Sequence, residues 1–356
     1  MNDFEGFRSQ FPALKEKTYL NTAAWGLLHP EVHQWRQAHD NGFLQRGSAY
    51  KMEAAEILDK TRRRIAESFN ASEHQVALAP NFSLGLNLLL EGLPPGSRIL
   101  IPEDEYPSLS WPFESRDFRL TRVSLGPGLE TRILDALGRE RIDVLAVSLV
   151  QWVSGQLLEP DFLKALRVDF PDLLIIADAT QYVGAFRFDF HGSGIDVLGV
   201  SGYKWLLGGN GNGFLVLRDG LESMLSVKSV GFNSTGHQPG DWQDAPLARR
   251  LEPGHLDVAS FGSLYASLGV LQELGLDRID RYSRTQSARV GEALAELGYW
   301  SGSGRHSTIF NIPERDGLYQ RLTDHGIVCA RRGDGIRLSF HCYNSEGDLE
   351  RLQKLL

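Results

Sequence analysis

The chain has 356 residues, 42% of them hydrophobic and 23% charged, so it can bury a large core and form about two domains. Its formal net charge of −8 argues against binding to nucleic acid or to an anionic membrane. It begins without a basic and apolar leader, lacks any apolar run of about 18 residues and has two cysteines, so we expect a cytoplasmic protein with no signal peptide, membrane span or disulfide framework.

Helical periodicity marks residues 1–15, Glu31–Gly47 and Met52–Asn70, ahead of the first predicted strand. His29 and His33 are spaced i, i+4 at the start of the second helix, as two metal ligands on one helix face would be. No third ligand lies near them in the sequence. We therefore predict a solvated first turn there and no metal site.

Apolar runs then alternate with helical segments, and this alternation predicts an α/β fold with a mainly parallel, doubly wound sheet. Two of the runs, LLIIADA and VLGVSG, are continuously apolar, which is typical of strands buried on both faces. The predicted helices between the strands include Ser83–Glu91, Thr131–Leu137 and Asp161–Asp169. The seven predicted strands are QVALAP, SRILIPE, RLTRVSL, DVLAVSLV, LLIIADA, VLGVSG and GFLVLRD.

The first strand-to-helix junction reads Asn81-Phe82-Ser83. Ser83 is a good N-cap, and the free amides of a first helical turn form an anion site together with a hydroxyl. That site would accept a cofactor phosphate. On its own, however, the segment is explained more simply as an ordinary capped junction.

A carboxylate ends the strand LLIIADA, because Asp178 lies at its carboxyl end, where open α/β sheets bind ligands. Pyridoxal phosphate needs such a group, since an ionised carboxylate keeps the pyridine nitrogen protonated. Gln181 follows closely and is placed to donate a hydrogen bond to the phenolic oxygen of the ring. The alternative role for Asp178 is a helix N-cap.

A lone lysine, Lys204, ends the next strand between Tyr203 and Trp205. Burial there would lower the lysine pKa and free the amine for Schiff-base formation with a carbonyl such as that of pyridoxal phosphate. A solvated lysine is the alternative. A nucleotide phosphate loop is disfavoured, because the following GGNGNG turn leads into a strand rather than a helix. Asp178 and Lys204 each end one of two successive predicted strands. The pair therefore indicates a pyridoxal-phosphate site more specifically than either residue alone.

From Gly231 to Gly254 the sequence is typical of a loop, and a connection this long is usually functional or disordered. The chain after it predicts a smaller α+β domain. We expect a large domain over residues 16–250 and a small one over residues 251–356, with residues 1–15 packed on the small one. The predicted elements of the small domain are helices Leu256–Gly275 and Ile279–Leu297, strands STIFNIPE, IVCA and GIRLSFH, and the amphipathic tail EGDLERLQKLL.

Taken in order, these segments resemble the class V branch, cysteine desulfurase and kynureninase-like, of the fold-type I pyridoxal-phosphate enzymes. The resemblance runs over nearly the whole chain. It implies a seven-stranded large domain with a small C-terminal domain, pyridoxal 5'-phosphate as cofactor, and a homodimer whose subunits share active sites. The segments that carry it are YLNTAAWG, PNFSLGLN, EYPS, ADATQ, SGYK and GIRLSFHCYNSEGDLERL.

The resemblance also implies roles for individual residues. Lys204 would hold the cofactor as an internal aldimine, Tyr106 would lay its ring over it, and Arg337 would bind the substrate α-carboxylate. Gly254 and His255 would reach the cofactor phosphate of the neighbouring subunit, although a plain interdomain connector is equally expected there. The other implied cofactor contacts are Asn81, Phe82, Ser83, Asp178, Gln181, Ser201 and Tyr203, and the implied substrate contacts of the N-terminal loop are Asn21, Ala23 and Trp25.

Departures from the family pattern bear on the reaction. Desulfurases carry a histidine where Tyr106 stands, and a cysteine on the loop before the arginine motif, which here reads RRGDG. Cys329 precedes that loop and Cys342 follows the arginine, so cysteine desulfurase is disfavoured. Trp152 stands where relatives often have Asn or Ser, which leaves Gln181 as the expected side-chain partner of the ring oxygen.

We therefore expect a pyridoxal-phosphate enzyme acting on an amino acid, with transamination onto a keto acid as the first hypothesis, because the lysine suffices for the proton shift. Elimination including C–S lysis, racemisation and kynureninase-like hydrolysis stay open, as does a catalytically inactive ligand-binding relative. A nicotinamide dehydrogenase would need a glycine-rich turn that opens a helix, and the sequence contains none. Arg331 and Arg332 are candidates for binding a second substrate carboxylate.

Overall fold

The computed structural model describes residues 3–235, 242–302 and 305–356. Its helices are α1 Asp3–Ser9, α2 Pro30–Arg46, α3 Lys51–Phe69, α4 Phe82–Leu90, α5 Pro107–Glu114, α6 Leu129–Arg139, α7 Pro160–Asp169, α8 Phe190–Ser193, α9 Leu247–Arg250, α10 Val258–Leu274, α11 Leu276–Glu296, α12 Leu318–Asp324 and α13 Glu346–Gln353. Its strands are β1 Thr18–Tyr19, β2 Val76–Ala79, β3 Arg98–Pro102, β4 Arg119–Val123, β5 Val144–Ser148, β6 Leu174–Asp178, β7 Val197–Ser201, β8 Gly213–Leu217, β9 Ile309–Pro313, β10 Ile327–Val328, β11 Ala330–Arg332 and β12 Gly335–Ser339.

The large sheet contains all seven strands predicted before residue 220, in the order β2-β8-β7-β6-β5-β3-β4. Its strands pair in parallel except for β8, which runs antiparallel to both β2 and β7. The glycine-rich turn after Lys204 is what reverses the chain between β7 and β8. The predicted α/β class, with a seven-stranded and mainly parallel sheet, is confirmed.

Helices cover both faces of this sheet, so its central strands are apolar throughout. In β6, Ile175 and Ala177 belong to one hydrophobic cluster, and Leu174 and Ile176 belong to the cluster on the opposite face. Successive side chains of a strand point to opposite faces, so a strand buried on both sides needs an unbroken apolar run. Asp178, at the end of this run, is therefore placed at the carboxyl edge of the sheet.

The C-terminal part of the chain forms a second, smaller sheet in the order β11-β12-β9, all antiparallel, with its own hydrophobic cluster. The predicted strand IVCA is divided at Cys329, because β10 pairs with β1 while β11 pairs with β12. The N-terminal segment contacts both parts: Phe7 packs in the large cluster, and Arg8 forms an ion pair with Asp348 of α13. The domain boundary near residue 250 stays a prediction.

The helix start at His29 differs from the prediction. His29 is buried, with ring centroids 5.6 Å from Phe7 and 5.4 Å from Phe11, and its Nδ1 accepts a hydrogen bond from the amide of Glu31. The prediction of a solvated turn is wrong for His29, which the apolar face of the N-terminal segment covers, whereas Glu31 and His33 are exposed as predicted. Part of the predicted loop, residues 236–241, lies outside the described residues.

None of the described helices is both long and apolar enough to cross a membrane. Within the same residues, no three His, Cys, Asp or Glu side chains are grouped so that they could hold a metal ion.

Candidate active site

A cavity of about 640 Å³ opens at the carboxyl edge of the large sheet. The ends of β6 and β7 form its floor, so Asp178 and Lys204 both line it, as the sequence predicts for strands that end side by side. The other predicted residues that line the cavity are Trp25, Asn81, Phe82, Ser83, Tyr106, Gln181, Ser201 and Tyr203.

Asp178 is a buried carboxylate. Its Oδ1 accepts a hydrogen bond of 2.8 Å from the amide of Thr180. Burial raises the pKa of Asp178, and the hydrogen bonds from Thr180 and the positive charge of Lys204 oppose that rise. A cationic group bound next to this carboxylate would therefore be held strongly, because the carboxylate has little water to stabilise its charge.

Lys204 is equally buried, and its Nζ lies 5.2 Å from the ring centre of Tyr106 and 5.6 Å from that of Tyr203. Burial lowers the pKa of Lys204 to about 8, an effect that Asp178 opposes and that Arg337 and Arg332 reinforce. Nζ donates no hydrogen bond to any described residue, so the amine faces the cavity without a protein acceptor.

The N-terminal loop holds the lysine segment in place. The amide of Gly26 donates a hydrogen bond of 2.9 Å to the carbonyl of Tyr203, and Trp25 packs on the Tyr203 ring with centroids 5.5 Å apart. A Cβ at Gly26 would lie 2.0 Å from the carbonyl oxygen of Lys204, so a residue without a side chain is needed for this close approach.

The amino end of α4 forms another wall. Asn81 caps the helix by accepting a hydrogen bond from the amide of Leu84, and the amide of Phe82 donates to Ser201 Oγ at 3.0 Å. The Phe82 ring packs against Gly199, where a Cβ would lie only 2.3 Å from the ring. Of the amides of this first turn, that of Ser83 has no partner outside the helix among the described residues, and neither does its hydroxyl. The predicted anion site therefore consists of the amide and hydroxyl of Ser83, because the amides of Phe82 and Leu84 already have partners.

Arg337 is not among the residues that line the cavity, but it contacts the lining residue Trp152. Its Nη1 donates a hydrogen bond of 2.7 Å to the carbonyl of Trp152, and its buried Nε has no partner among the described residues. Burial, together with the charge of Arg332, lowers the pKa of Arg337 to about 10, and Tyr106 and Tyr203 oppose this change. The Trp152 ring meets Tyr106 edge to face, with centroids 5.4 Å apart.

A model of the family described as aminotransferase class-V matches residues 19–352 of the chain. The chain belongs to this family.

The chain is also similar to individual proteins over almost its whole length. A probable cysteine desulfurase of Methanothermobacter thermautotrophicus is 22% identical, covering 99% of this chain and 97% of its own. An uncharacterized aminotransferase of Bacillus subtilis, YcbU, is 25% identical, covering 97% and 95%. The solved complex of the cystine C–S lyase C-DES with cysteine persulfide has a TM-score of 0.88 at 20% identity, covering 97% of this chain and 99% of that one. The relatives thus include both a probable cysteine desulfurase and an aminotransferase, so membership of the family alone does not fix the reaction.

Membership of the class V family, together with a solved C-DES structure of the same fold in which glycine is covalently linked to the PLP cofactor, confirms pyridoxal 5'-phosphate as the cofactor. The donor set of the cavity fits it. Lys204 offers an amine and Ser83 an amide and hydroxyl at a helix start, none of which has a hydrogen-bond partner outside its own helix in the described part of the chain, and Asp178 offers a buried carboxylate. These are the three kinds of group that an aldehyde, a pyridine nitrogen and a phosphate require.

Several predicted contacts lie elsewhere than expected. The side chain of Gln181 already uses most of its hydrogen-bonding groups. Its amide nitrogen donates to the carbonyl of Ala23 at 3.0 Å, and its oxygen accepts from Trp205 Nε1 at 2.6 Å. One N–H is left for the predicted contact with the ring oxygen. Ala23 and Asn21 do not line the cavity. The amide of Ala23 donates a hydrogen bond to Ser339 Oγ, and Asn21 forms an isolated β-bridge with Ser339 of β12. The last two, Gly254 and His255, do not line the cavity of this chain.

Sequence reasoning missed Glu105 and Ser148. Glu105 is buried beside Asp178, and it accepts hydrogen bonds from the amide and hydroxyl of Ser148 at 2.9 and 2.6 Å. Burial raises the pKa of Glu105 to about 7 against those bonds, and the charge of Asp178 adds to the rise. Only the pairing of β5 with β6 brings Ser148 opposite Asp178, so no local motif marks it. Further lining residues that the sequence did not single out are Ala24, Pro80, Ser108, Val150, Thr180, Asn210 and Gly211.

Both cysteines are buried free thiols. Burial raises the pKa of Cys329 to about 11, and it also raises the pKa of Cys342. A thiol with a raised pKa is a poor nucleophile because the thiolate is the reactive form. Neither cysteine lines the cavity.

Proposed function

We propose that this class V enzyme is an aminotransferase that moves the amino group of an α-amino acid to a keto acid. The observation that carries the proposal is that one base, Lys204, faces the cavity. The titratable side chains among the described lining residues are Tyr106, Asp178, Tyr203 and Lys204. A single base suffices to move a proton between two carbons on one face, whereas a two-base racemisation needs a second group opposite.

Different residues of the chain would bind different parts of the cofactor. When bound, pyridoxal 5'-phosphate supplies an electron sink for the bond that breaks at Cα. Asp178 would hold the proton on its ring nitrogen, and the amide and hydroxyl of Ser83 would bind its phosphate. Tyr106 would cover one face of the ring, since Lys204 Nζ lies 5.2 Å from the Tyr106 ring centre.

Arg337 would bind the substrate carboxylate. Its guanidinium is buried, one end is fixed on the Trp152 carbonyl, and its Nε has no partner among the described residues. An arginine offers two parallel N–H groups to a carboxylate, which fixes orientation as well as position. The Cα of the substrate would thus be held near the amine of Lys204.

Lys204 would then carry the proton. Its pKa of about 8 is close to a neutral working pH, so both the ammonium and the free amine are populated there. Tyr203 is a poor alternative, because burial raises its pKa to about 12 and keeps the phenol protonated.

We further propose a homodimer. Gly254 and His255 do not line this chain's cavity, which supports a role toward a second copy. Large apolar side chains are exposed along α2 and α3, namely Phe43, Leu44 and Met52. Such exposed apolar groups are typical of interaction surfaces.

The test is an absorbance spectrum of the purified protein before and after addition of single amino acids, with Lys204→Ala as the control variant. Conversion to a pyridoxamine-type spectrum that a keto acid reverses supports transamination. Release of pyruvate and sulfide from cysteine or cystine without that conversion would make the enzyme a lyase. A protein that stays colourless when given pyridoxal 5'-phosphate contradicts the role of Lys204.

A further inference from the structure

Two arginines share one face of the hairpin formed by β11 and β12. The strands pair with Ala330 opposite Arg337 and with Arg332 opposite Gly335. Alternate residues of a strand point to the same face, so Arg332 lies on the face of Ala330 and therefore of Arg337. Such diagonal neighbours are roughly 7–8 Å apart. Arg332 thus adds a second guanidinium to the face that carries Arg337, the residue proposed to bind the substrate carboxylate.

The adjacent arginine, Arg331, lies on the opposite face. Its Nε is 3.3 Å from Oε2 of Glu314, and its guanidinium carbon is 4.4 Å from the ring centre of Tyr319. Its partner across the hairpin, Ile336, is buried in the hydrophobic cluster of the small sheet. Arg331 is therefore a matched control, since it has the same side chain, is next in sequence, and is held away from the cavity.

The face with Arg332 and Arg337 meets the active site at Trp152, a cavity residue whose carbonyl accepts the hydrogen bond from Arg337 Nη1. A Cβ at Gly333, in the turn of the hairpin, would lie 3.3 Å from Cγ1 of Val153, which adjoins the cavity residue Trp152. Asn311 fixes the strand by donating a hydrogen bond of 2.9 Å to the carbonyl of Arg332. The charge of Arg332 lowers the pKa of both Lys204 and Arg337, so it lies near both groups.

This pair of charges has no counter-ion in the described part of the chain. Arg332 Nη1 donates to the carbonyl of Arg331 and Arg337 Nη1 to the carbonyl of Trp152, and neither guanidinium pairs with a described carboxylate. Two like charges on one face repel each other, and a ligand with two negative groups would relieve that repulsion.

We propose that the substrate is a dicarboxylic amino acid, with Arg337 on its α-carboxylate and Arg332 on its side-chain carboxylate. The proposal rests on the proposed function, because it takes the substrate to be an amino acid held by Arg337. Arg332 is exposed, so water weakens its interaction with a carboxylate, and the expected selectivity is on the order of tenfold.

The test compares binding of glutarate with binding of pentanoate, which has the same chain length and one carboxylate fewer. Dissociation constants are measured by calorimetry on the cofactor-loaded protein for wild type, Arg332→Gln and Arg331→Gln. We expect wild type and Arg331→Gln to bind glutarate about tenfold more tightly than pentanoate. In Arg332→Gln this preference is expected to disappear, with pentanoate binding unchanged.

An unchanged preference in Arg332→Gln, an equal weakening of both acids, or no preference in wild type would overturn the proposal. Retained melting temperature in Arg332→Gln separates these outcomes from a folding defect, and Arg332→Lys, which keeps the charge, is expected to keep most of the preference. The readout is binding and needs no turnover. Failure of the aminotransferase assay therefore leaves this test intact, and transamination limited to neutral amino acids would refute the dicarboxylate alone.

Discussion

Burying the amine of Lys204 costs the folded protein stability, and the structure gives the size of that cost. A change of the pKa from 10.5 to about 8 corresponds to about 3 kcal/mol. The neutral and similarly long side chain in Lys204→Met removes this cost. With the cofactor removed, we expect the variant to be more stable than wild type by up to about 3 kcal/mol near pH 7, less any loss of packing.

The pH dependence gives the sign of this effect. Below the folded-state pKa of about 8, the wild-type protein must hold an ammonium in a buried site, so the full penalty is present. As the pH rises from about 8 to 10.5, the folded lysine is neutral while the unfolded one loses its proton, and the penalty fades to zero. The advantage of Lys204→Met is therefore expected to vanish above that range.

Urea unfolding of the cofactor-free proteins at several pH values measures the difference directly. Asp178 opposes the shift, whereas Arg337 and Arg332 reinforce it, so Asp178→Asn in the same background should enlarge the advantage of the methionine. A difference in stability between the two proteins that stays the same from pH 7 to pH 10.5 would refute the assignment of Lys204 as a desolvated amine, because a loss of packing does not depend on pH.

Other variants test the surroundings of the lysine. Asp178→Asn is expected to slow turnover by roughly ten- to a hundredfold, as loss of a charge-assisted hydrogen bond predicts, and an unchanged kcat would contradict its contact with the cofactor. Gly26→Ala is expected to destabilise the protein by about 1–3 kcal/mol in urea and to weaken cofactor binding, because its Cβ would meet the Lys204 carbonyl, whereas a Cβ in Gly6→Ala meets nothing within 4 Å and is expected to be neutral or stabilising. Cys329→Ala is expected to leave kcat within about twofold, since its thiol has a pKa of about 11; selective loss of activity on cysteine would contradict this.

The sequence by itself determined the class of the fold and the chemical centre. The unbroken apolar runs of β6 and β7 require a sheet covered on both faces, and a polar residue that ends such a run can lie nowhere but at the sheet's edge. Asp178 and Lys204 were identifiable for this reason. The antiparallel direction of β8, by contrast, was not predicted and is known only from its pairing with β7 and β2.

Only the tertiary structure decided which partners each group has. Gln181 is committed to Ala23 and Trp205, and His29 is covered by distant aromatic rings, because those contacts join segments far apart in the chain. Sequence patterns report periodicity along one element and carry no register between elements. For the same reason Glu105 went unnoticed. Arg331 and Arg332 were indistinguishable in the sequence, and the pairing of β11 with β12 places them on opposite faces of the hairpin, with Arg332 on the face that carries Arg337.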